Sequence, residues 1–245
     1  MEVHQHTHTG RKKWYHYFWE FFMLFLAVFC GFIAENIREH YVEHKREKEL
    51  AMGLYKDIKA DTAQLNNIIR FRKTRAEQLD SLFILLNQPP GQTNKTEIYH
   101  LALKSILFAY SDFSRSNGTT NELKNSGYLR YFNGTSIPGI LAKYDAQVEA
   151  LEEFEKLEFN EITDRYVPFL WQHFDANALE KSWYERQPLE FEPRFIDMTE
   201  TNLNYLKSFI ISLKLINRNI VVLLNYVLKA ATPFLEDLGK EYHTE

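Results

Sequence analysis

The chain has little of what usually identifies an enzyme or a disulfide-stabilised secreted protein. It contains one cysteine, Cys30, in 245 residues, so no internal disulfide can form. It also lacks the motifs G-x-S-x-G, G-x-x-x-x-G-K-S/T, G-x-G-x-x-G and C-x-x-C, which mark hydrolases, phosphate-binding loops, dinucleotide-binding folds and thiol sites. We therefore expect no cofactor, and the sequence identifies no small-molecule ligand.

An excess of basic residues and a strand pattern are also missing. The net charge is −4, and three of the basic residues, Arg11, Lys12 and Lys13, lie together near the N-terminus. The remainder of the chain therefore lacks the positive charge that a nucleic-acid-binding domain needs. Runs of alternating β-branched residues are absent, whereas apolar residues recur at helical spacing. The sequence predicts an all-α fold and no nucleic-acid partner.

A long apolar run, present near the N-terminus, predicts a membrane anchor. The 14 residues Phe21–Ala34 carry no polar side chain, but they span only ~21 Å of a hydrocarbon core of ~30 Å. Aromatic residues flank this run on both sides, from Trp14 to Trp19 before it and at Tyr41 after it, as in a membrane-interface belt. Phe32 stands where a signal-peptide cleavage site needs a small residue. We therefore predict an uncleaved signal anchor.

These features divide the chain into four predicted parts. They are a basic, cytoplasmic or disordered tail at 1–13, a transmembrane helix at 14–37, a charged helical stalk at 38–50 and a soluble helical-bundle domain at 51–245. The basic cluster on the short tail favours a cytoplasmic N-terminus. One helix is predicted from Trp14 to about Gln88, followed by an antiparallel bundle.

Polar and small residues share one face of the predicted anchor. On a helical wheel at ~100° per residue, five positions fall within ~40° of Glu20. They are Glu20, Ala27, Gly31, Ala34 and Arg38. Ala27 and Gly31 form a small-xxx-small pair, which lets two transmembrane backbones approach closely. We expect this face to bind a second copy of the chain or another transmembrane protein.

Glu20 allows two interpretations. In the first, its carboxylate is a contact between associating helices near the edge of the hydrocarbon core. In the second, the chain is an accessory subunit of an ion-driven or transport complex, and Glu20 changes protonation there. A Glu20→Gln substitution distinguishes the two, because it removes the titration but keeps a hydrogen-bonding side chain.

The stalk contains the pattern H-x-x-E-H at His40, Glu43 and His44. On a helix, imidazoles four residues apart can hold a metal ion, and the glutamate can act as a general base in a metal-dependent hydrolase. The neighbouring residues are charged, and no third ligand is evident nearby. Adventitious metal binding and a solvated charged face are the alternative interpretations.

Further helices and breaks are predicted in the bundle domain. We expect helices at Glu97–Tyr110 and Asn121–Phe132, the second of them capped by Thr119 or Thr120. Two longer apolar patterns run from Leu141 to Leu170, with a kink at Pro168, and from Leu203 to Phe234. A loop is expected between them, from about Ala176 to Asp197.

Three segments carry a resemblance to a known family. They are RKKWYHYFWEFFMLFLAVFCGFIAENIREH (11–40), LYKDIKADTAQL (54–65) and NELKNSGYLRYF (121–132). Together they resemble a family of uncharacterised single-pass membrane proteins of Bacteroidota, known by a domain-of-unknown-function label. The resemblance implies a place in the bacterial inner membrane with the C-terminal domain in the periplasm, and it brings no catalytic residues. We expect an interaction or scaffold component rather than an enzyme.

Overall fold

The computed structural model describes residues 13–89, 92–104, 112–184 and 191–242. The tail predicted at 1–13 therefore lies outside the described residues, except for Lys13. The predicted all-α fold is confirmed, since the described ranges contain no strand and only an isolated antiparallel bridge between Phe174 and Phe195. The chain divides into two compact units, Met1–Glu49 and Leu50–Glu245.

The described residues form seven α-helices and two short irregular turns. A single helix from Trp14 to Leu86 confirms the continuous helix predicted from the apolar pattern. The elements are α1 (Trp14–Leu86), α2 (Lys95–Ala102), α3 (Gly118–Asn125), a 3₁₀ turn (Tyr128–Phe132), α4 (Ile137–Glu161), a π turn (Ile162–Tyr166), α5 (Val167–His173), α6 (Ala176–Tyr184) and α7 (Glu200–Tyr242).

The bundle in the second unit is built from three long segments: residues 50–86 of α1, α4 with α5, and α7. Side chains of α1 and α4 meet in rising order along both helices. Tyr144 donates a hydrogen bond to Asp61, and Arg72 donates to Glu158 further along. These two helices therefore run parallel, which requires a long connection between them.

α7 runs antiparallel to α4 and α5. Tyr166 stacks on Phe209 near the start of α7, and Tyr144 packs edge-on against Phe234 near its end. The helical bundle predicted from the sequence is present. In it, α1 and α4 are parallel to each other, and α7 is antiparallel to both. Two short helices lie between α1 and α4 in the chain: α2 packs against the C-terminal end of α1, and Thr119 of α3 bonds to Asp57, further toward the N-terminus of α1.

Two apolar clusters fill the bundle and are separated along its length. The first is formed mainly by residues 50–69 of α1, the start of α4 and the second half of α7, with Leu54, Leu65, Tyr144, Leu224 and Phe234 among its buried members. The second is formed by residues 79–86 of α1, α2, the π turn, α5, α6 and the start of α7, with Leu79, Tyr99, Tyr166, Phe174 and Ile210 among its members.

The prediction of one helix over Asn121–Phe132 is wrong, because the α-helix ends at Asn125. Gly127 adopts a φ of 71°, a left-handed conformation that glycine takes without a Cβ penalty. A 3₁₀ turn then covers Tyr128–Phe132. The N-cap position of α3 is Asn117 rather than Thr119 or Thr120. The dipeptide Ser126-Gly127 was the available signal for the break.

The loop predicted at Ala176–Asp197 is wrong in its first part, because α6 occupies Ala176–Tyr184. The missed signal is Asp175, whose Oδ1 accepts hydrogen bonds from the backbone N–H groups of Asn177 and Ala178 at 2.9 and 3.1 Å. A carboxylate in this position caps a helix start. For the helix predicted at Glu97–Tyr110, α2 covers Lys95–Ala102, and residues 105–110 lie outside the described ranges.

At Pro168, where the sequence predicts a kink, the structure has a π turn immediately before the proline. The backbone N–H of Val167 bonds to the carbonyl of Ile162, five residues earlier, which is the spacing of a π-helix. Pro168 then lies in the first turn of α5, where its missing N–H leaves no hydrogen bond unmade.

Candidate functional site

The N-terminal part of α1 exposes an apolar surface. Every residue from Lys13 to Val42 is exposed. The exposed fraction is between 66% and 79% for Trp14, Phe21, Leu24, Val28 and Phe32. A contiguous apolar surface of this kind is rare on soluble monomers and marks a membrane or protein contact.

Two helices of the described chain, α1 and α7, are long and apolar enough to cross a membrane by length and composition. A core helix or a signal sequence passes the same criterion, so burial is the useful comparison. None of the apolar window of α1 is buried, whereas 39% of the window of α7 is buried. Leu213, Ile220 and Leu224 of α7 lie in the bundle interior, so this helix contributes directly to the protein core.

The predicted interaction face lies on the exposed part of α1. Glu20, Ala27, Gly31, Ala34 and Arg38 are all exposed, and a Cβ atom added at Gly31 meets nothing within 4 Å. The side chain of Arg38 donates from Nε to an oxygen of Glu35, one turn earlier, at 2.9 Å. The helix therefore brings the five residues to one open face, and the binding of another helix there stays a prediction.

The H-x-x-E-H residues do not form a metal centre with other side chains. His40 and His44 are exposed, and Nδ1 of His44 lies 3.2 Å from a carboxylate oxygen of Glu47. Among the described residues no group of three His, Cys, Asp or Glu side chains is placed to hold a metal ion. The described residues therefore place no third metal ligand beside His40 and His44, which the hydrolase hypothesis requires.

The sequence pattern missed an ionic layer inside the bundle. Arg72 and Arg75 of α1 are buried, and each donates to a different oxygen of the buried Glu158 on α4. The carbonyl of Arg72 accepts a hydrogen bond from Nδ2 of Asn217 on α7 at 3.0 Å. Burial lowers the pKa of Arg75, and the adjacent Glu158 opposes that shift. The layer thus joins all three long segments between the two apolar clusters.

A second buried carboxylate, Glu155, lies one turn before Glu158 on α4. It is 6% exposed and accepts a hydrogen bond from the backbone N–H of Phe113 at 3.1 Å. Burial raises the pKa of Glu155 to about 7, the Phe113 hydrogen bond opposes this, and Asp112 adds to it. A surface cavity of about 380 Å³ adjoins the carboxylate. Its lining consists of Asp112, Phe113, Glu152, Glu155, Lys156 and Phe159.

Two aspartates one turn apart on α1 hold the connection that precedes α3. Oδ2 of Asp57 accepts the backbone N–H of Thr119 at 3.0 Å. Oδ1 of Asp61 accepts the backbone N–H of Ser116 at 2.8 Å, and its Oδ2 accepts the hydroxyl of Tyr144 at 2.7 Å. The carboxylates satisfy backbone donors at the start of α3 that the helix itself leaves open.

Gly53, one turn before Asp57 on α1, also lies against α3. A Cβ at Gly53 would lie 2.7 Å from Oγ1 of Thr119, so any larger residue here requires the Thr119 side chain to move. Asp145 of α4 fixes the other side of the connection through ion pairs with Arg115 and Lys124. The segments 54–65 and 121–132, which carry the family resemblance, therefore belong to one packed region of the bundle.

Comparison of the chain with family models, with curated proteins and with solved structures found no match. The family resemblance stays a prediction, and the geometry described above supports the proposals that follow.

Proposed function

We propose that this chain is a membrane-anchored helical-bundle protein that works by binding, as an interaction or scaffold component of the bacterial envelope. The observation that carries the proposal is the exposure of every residue from Lys13 to Val42, most of them apolar. Exposing this surface to water costs free energy roughly in proportion to its apolar area, at about 25 cal/mol per Å². Insertion into a lipid bilayer removes that cost.

The proposal includes a single crossing of the inner membrane and a periplasmic bundle. One face of α7 is buried in the bundle core, where Phe209, Leu224 and Phe234 lie, which supports the assignment of this helix to the bundle. The basic cluster at Arg11–Lys13 supports a cytoplasmic N-terminus, since positive residues are retained on the cytoplasmic side.

The binding role rests on the face formed by Glu20, Ala27, Gly31, Ala34 and Arg38. Small side chains allow close backbone contact between helices in lipid, and polar groups can form hydrogen bonds across the contact. We propose a second copy or another transmembrane protein as the occupant of this face.

Cysteine labelling tests the membrane topology directly, since the chain has one cysteine, Cys30. In a Cys30→Ser background, single cysteines are placed at Lys13 and at the exposed Lys229. We expect both proteins to stay in the membrane fraction after an alkaline carbonate wash. In cells with a permeabilised outer membrane, an impermeant maleimide should label position 229 and leave position 13 unlabelled. Release by carbonate would contradict the anchor, and the reverse labelling would contradict the orientation.

A further inference from the structure

The side of α7 that faces away from the bundle carries an apolar stripe. Ile211, Leu215, Val222 and Tyr226 expose 45%, 57%, 43% and 53% of their surfaces. On a helical wheel at ~100° per residue they lie within ~60° of one another, and the buried Ile220 lies ~180° from Ile211. α7 therefore has an inner apolar face that forms the core and an outer one that nothing in the described chain covers.

The charged residues in the middle of α7 are all basic. Between Thr201 and Leu235 the helix contains no Asp or Glu, and it contains three lysines and one arginine. Lys214 pairs with Asp80 of α1. Lys207, Arg218 and Lys229 fall at about −40°, −20° and 0° from Ile211 on the same wheel, along one edge of the apolar stripe.

The spacing and charge of this stripe fit a helix as its occupant. Apolar residues at 211, 215, 222 and 226 are four, seven and four residues apart, which keeps them on one side of the helix, as in the seam by which one helix packs along another. The cations along one edge lack acidic neighbours on α7 itself, so a partner helix with Asp or Glu at that edge would be complementary in charge.

Two other occupants fit less well. A second copy would bring no complementary charge to this face, because α7 contains no Asp or Glu between Thr201 and Leu235 and the cations of both chains would stay unpaired. A bilayer surface favours a helix with its cations on the side opposite a broad apolar face. Here the cations border the stripe, and polar Asn204, Ser208 and Asn225 interrupt the same side of α7.

We propose that the outer face of α7 is the docking surface for an amphipathic helix of a partner protein, one whose apolar stripe is bordered by Asp or Glu. This inference deepens the proposed function, on which it rests, by locating the binding surface of the bundle. The central contact is Leu215 with Arg218 beside it.

Site-specific photocrosslinking of the full chain in its native membranes tests this assignment. p-Benzoylphenylalanine replaces Leu215 in one protein. The matched control carries it at Leu157, a leucine of α4 with a comparable exposed fraction of 47%. We expect the probe at 215 to crosslink one partner protein through a peptide with apolar residues at helical spacing and adjacent acidic residues. Adding Arg218→Glu should reduce that adduct at least about tenfold through charge repulsion.

Several outcomes would overturn the assignment. These are no adduct at 215, an adduct only with lipid or with a second copy, an equally abundant adduct from 157, or no effect of Arg218→Glu. Carbonate extraction of the same membranes tests the membrane anchor of the proposed function separately. A chain that stays in the membrane without a specific adduct overturns only the docking surface. A chain that washes off overturns the anchor, and its adducts still decide the docking surface.

Discussion

The two parts of α1 are built for different surroundings. From Lys13 to Val42 every residue is exposed, although most are apolar. From Leu50 to Leu86 the buried positions recur every three or four residues, as in a helix with one face in a protein core. Both parts are helical, so the distribution of apolar residues around the helix is what distinguishes them: the first part exposes them on all sides, and the second buries them along one face.

Two glycines on this helix show the same difference. A Cβ at Gly53 would meet Thr119 at 2.7 Å, whereas a Cβ at Gly31 would meet nothing within 4 Å. In the bundle the chain itself supplies the surface that needs a glycine. In the anchor such a surface would have to come from another molecule, which is the basis of the proposed interaction face.

The largest expected effect comes from breaking the ionic layer that only the bundle part of α1 contains. Glu158→Gln leaves Arg72 and Arg75 buried without their carboxylate, and this kind of loss costs about 3–5 kcal/mol. Urea denaturation of the full chain in detergent micelles measures the free energy of unfolding. The control is Glu153→Gln, which changes an exposed residue of α4.

A second variant separates charge burial from packing. When Arg72, Arg75 and Glu158 are all replaced by Met, the three buried charges are removed together, and we expect much of the lost stability to return. If Glu158→Gln unfolded like the wild-type protein, the layer would not hold the three long segments together.

The ionic layer also marks the limit of what the sequence could predict. The 3.6-residue period predicted one helix from Trp14 to about Gln88, where α1 ends at Leu86, and the long helix α7, because both signals are local. The same period gives no partner for Arg72, since Glu158 is 86 residues away in a segment with several other glutamates. The parallel packing of α1 and α4 involves such long-range pairs, and a single sequence does not reveal which residues form them.

A smaller effect is expected from pH, through a carboxylate that the bundle buries. The pKa of Glu155 is raised from 4.5 to about 7, so the folded state binds a proton that the unfolded state releases between these values. Stability from this group is present below pH 4.5 and is lost as pH rises to about 7. Glu155→Gln removes that loss, and we expect it to be more stable than wild type at pH 8 by about 1–3 kcal/mol.

Urea denaturation at pH 5 and pH 8 measures this difference. The two proteins should converge toward pH 4.5, because protonated Glu155 and Gln are both neutral there. Glu152→Gln, an exposed residue lining the same cavity, is the matched control and should leave the pH profile unchanged. A Glu155→Gln profile parallel to that of wild type would show that the carboxylate does not titrate in this range.

The two glycines allow the comparison within α1 to be tested directly. Gly53→Leu forces Thr119 away from α1 and should lower the free energy of unfolding by about 1–3 kcal/mol. Gly31→Leu should leave unfolding unchanged and weaken association of the anchor at least about tenfold, or ~1.4 kcal/mol. Energy transfer between labelled chains in micelles, or to a labelled partner, measures the association.

Val28→Leu is the control for the anchor, because Val28 is exposed and lies ~80° from Glu20 on the wheel, outside the proposed face. Equal loss of association with Val28→Leu and Gly31→Leu would remove the case for a specific small-residue face.

The smallest expected effect concerns Glu20, and it decides between the two interpretations of the anchor. Hydrogen bonds between membrane helices contribute about 0.6 kcal/mol on average. Gln keeps the acceptor and adds a donor, so Glu20→Gln should preserve association and cellular function, whereas Glu20→Ala should weaken association by about that amount. Association is measured as for Gly31, and function by complementation of a deletion strain. If Glu20→Gln assembled normally yet failed to complement, the carboxylate would be needed for its proton, and the accessory-subunit interpretation would replace the structural one.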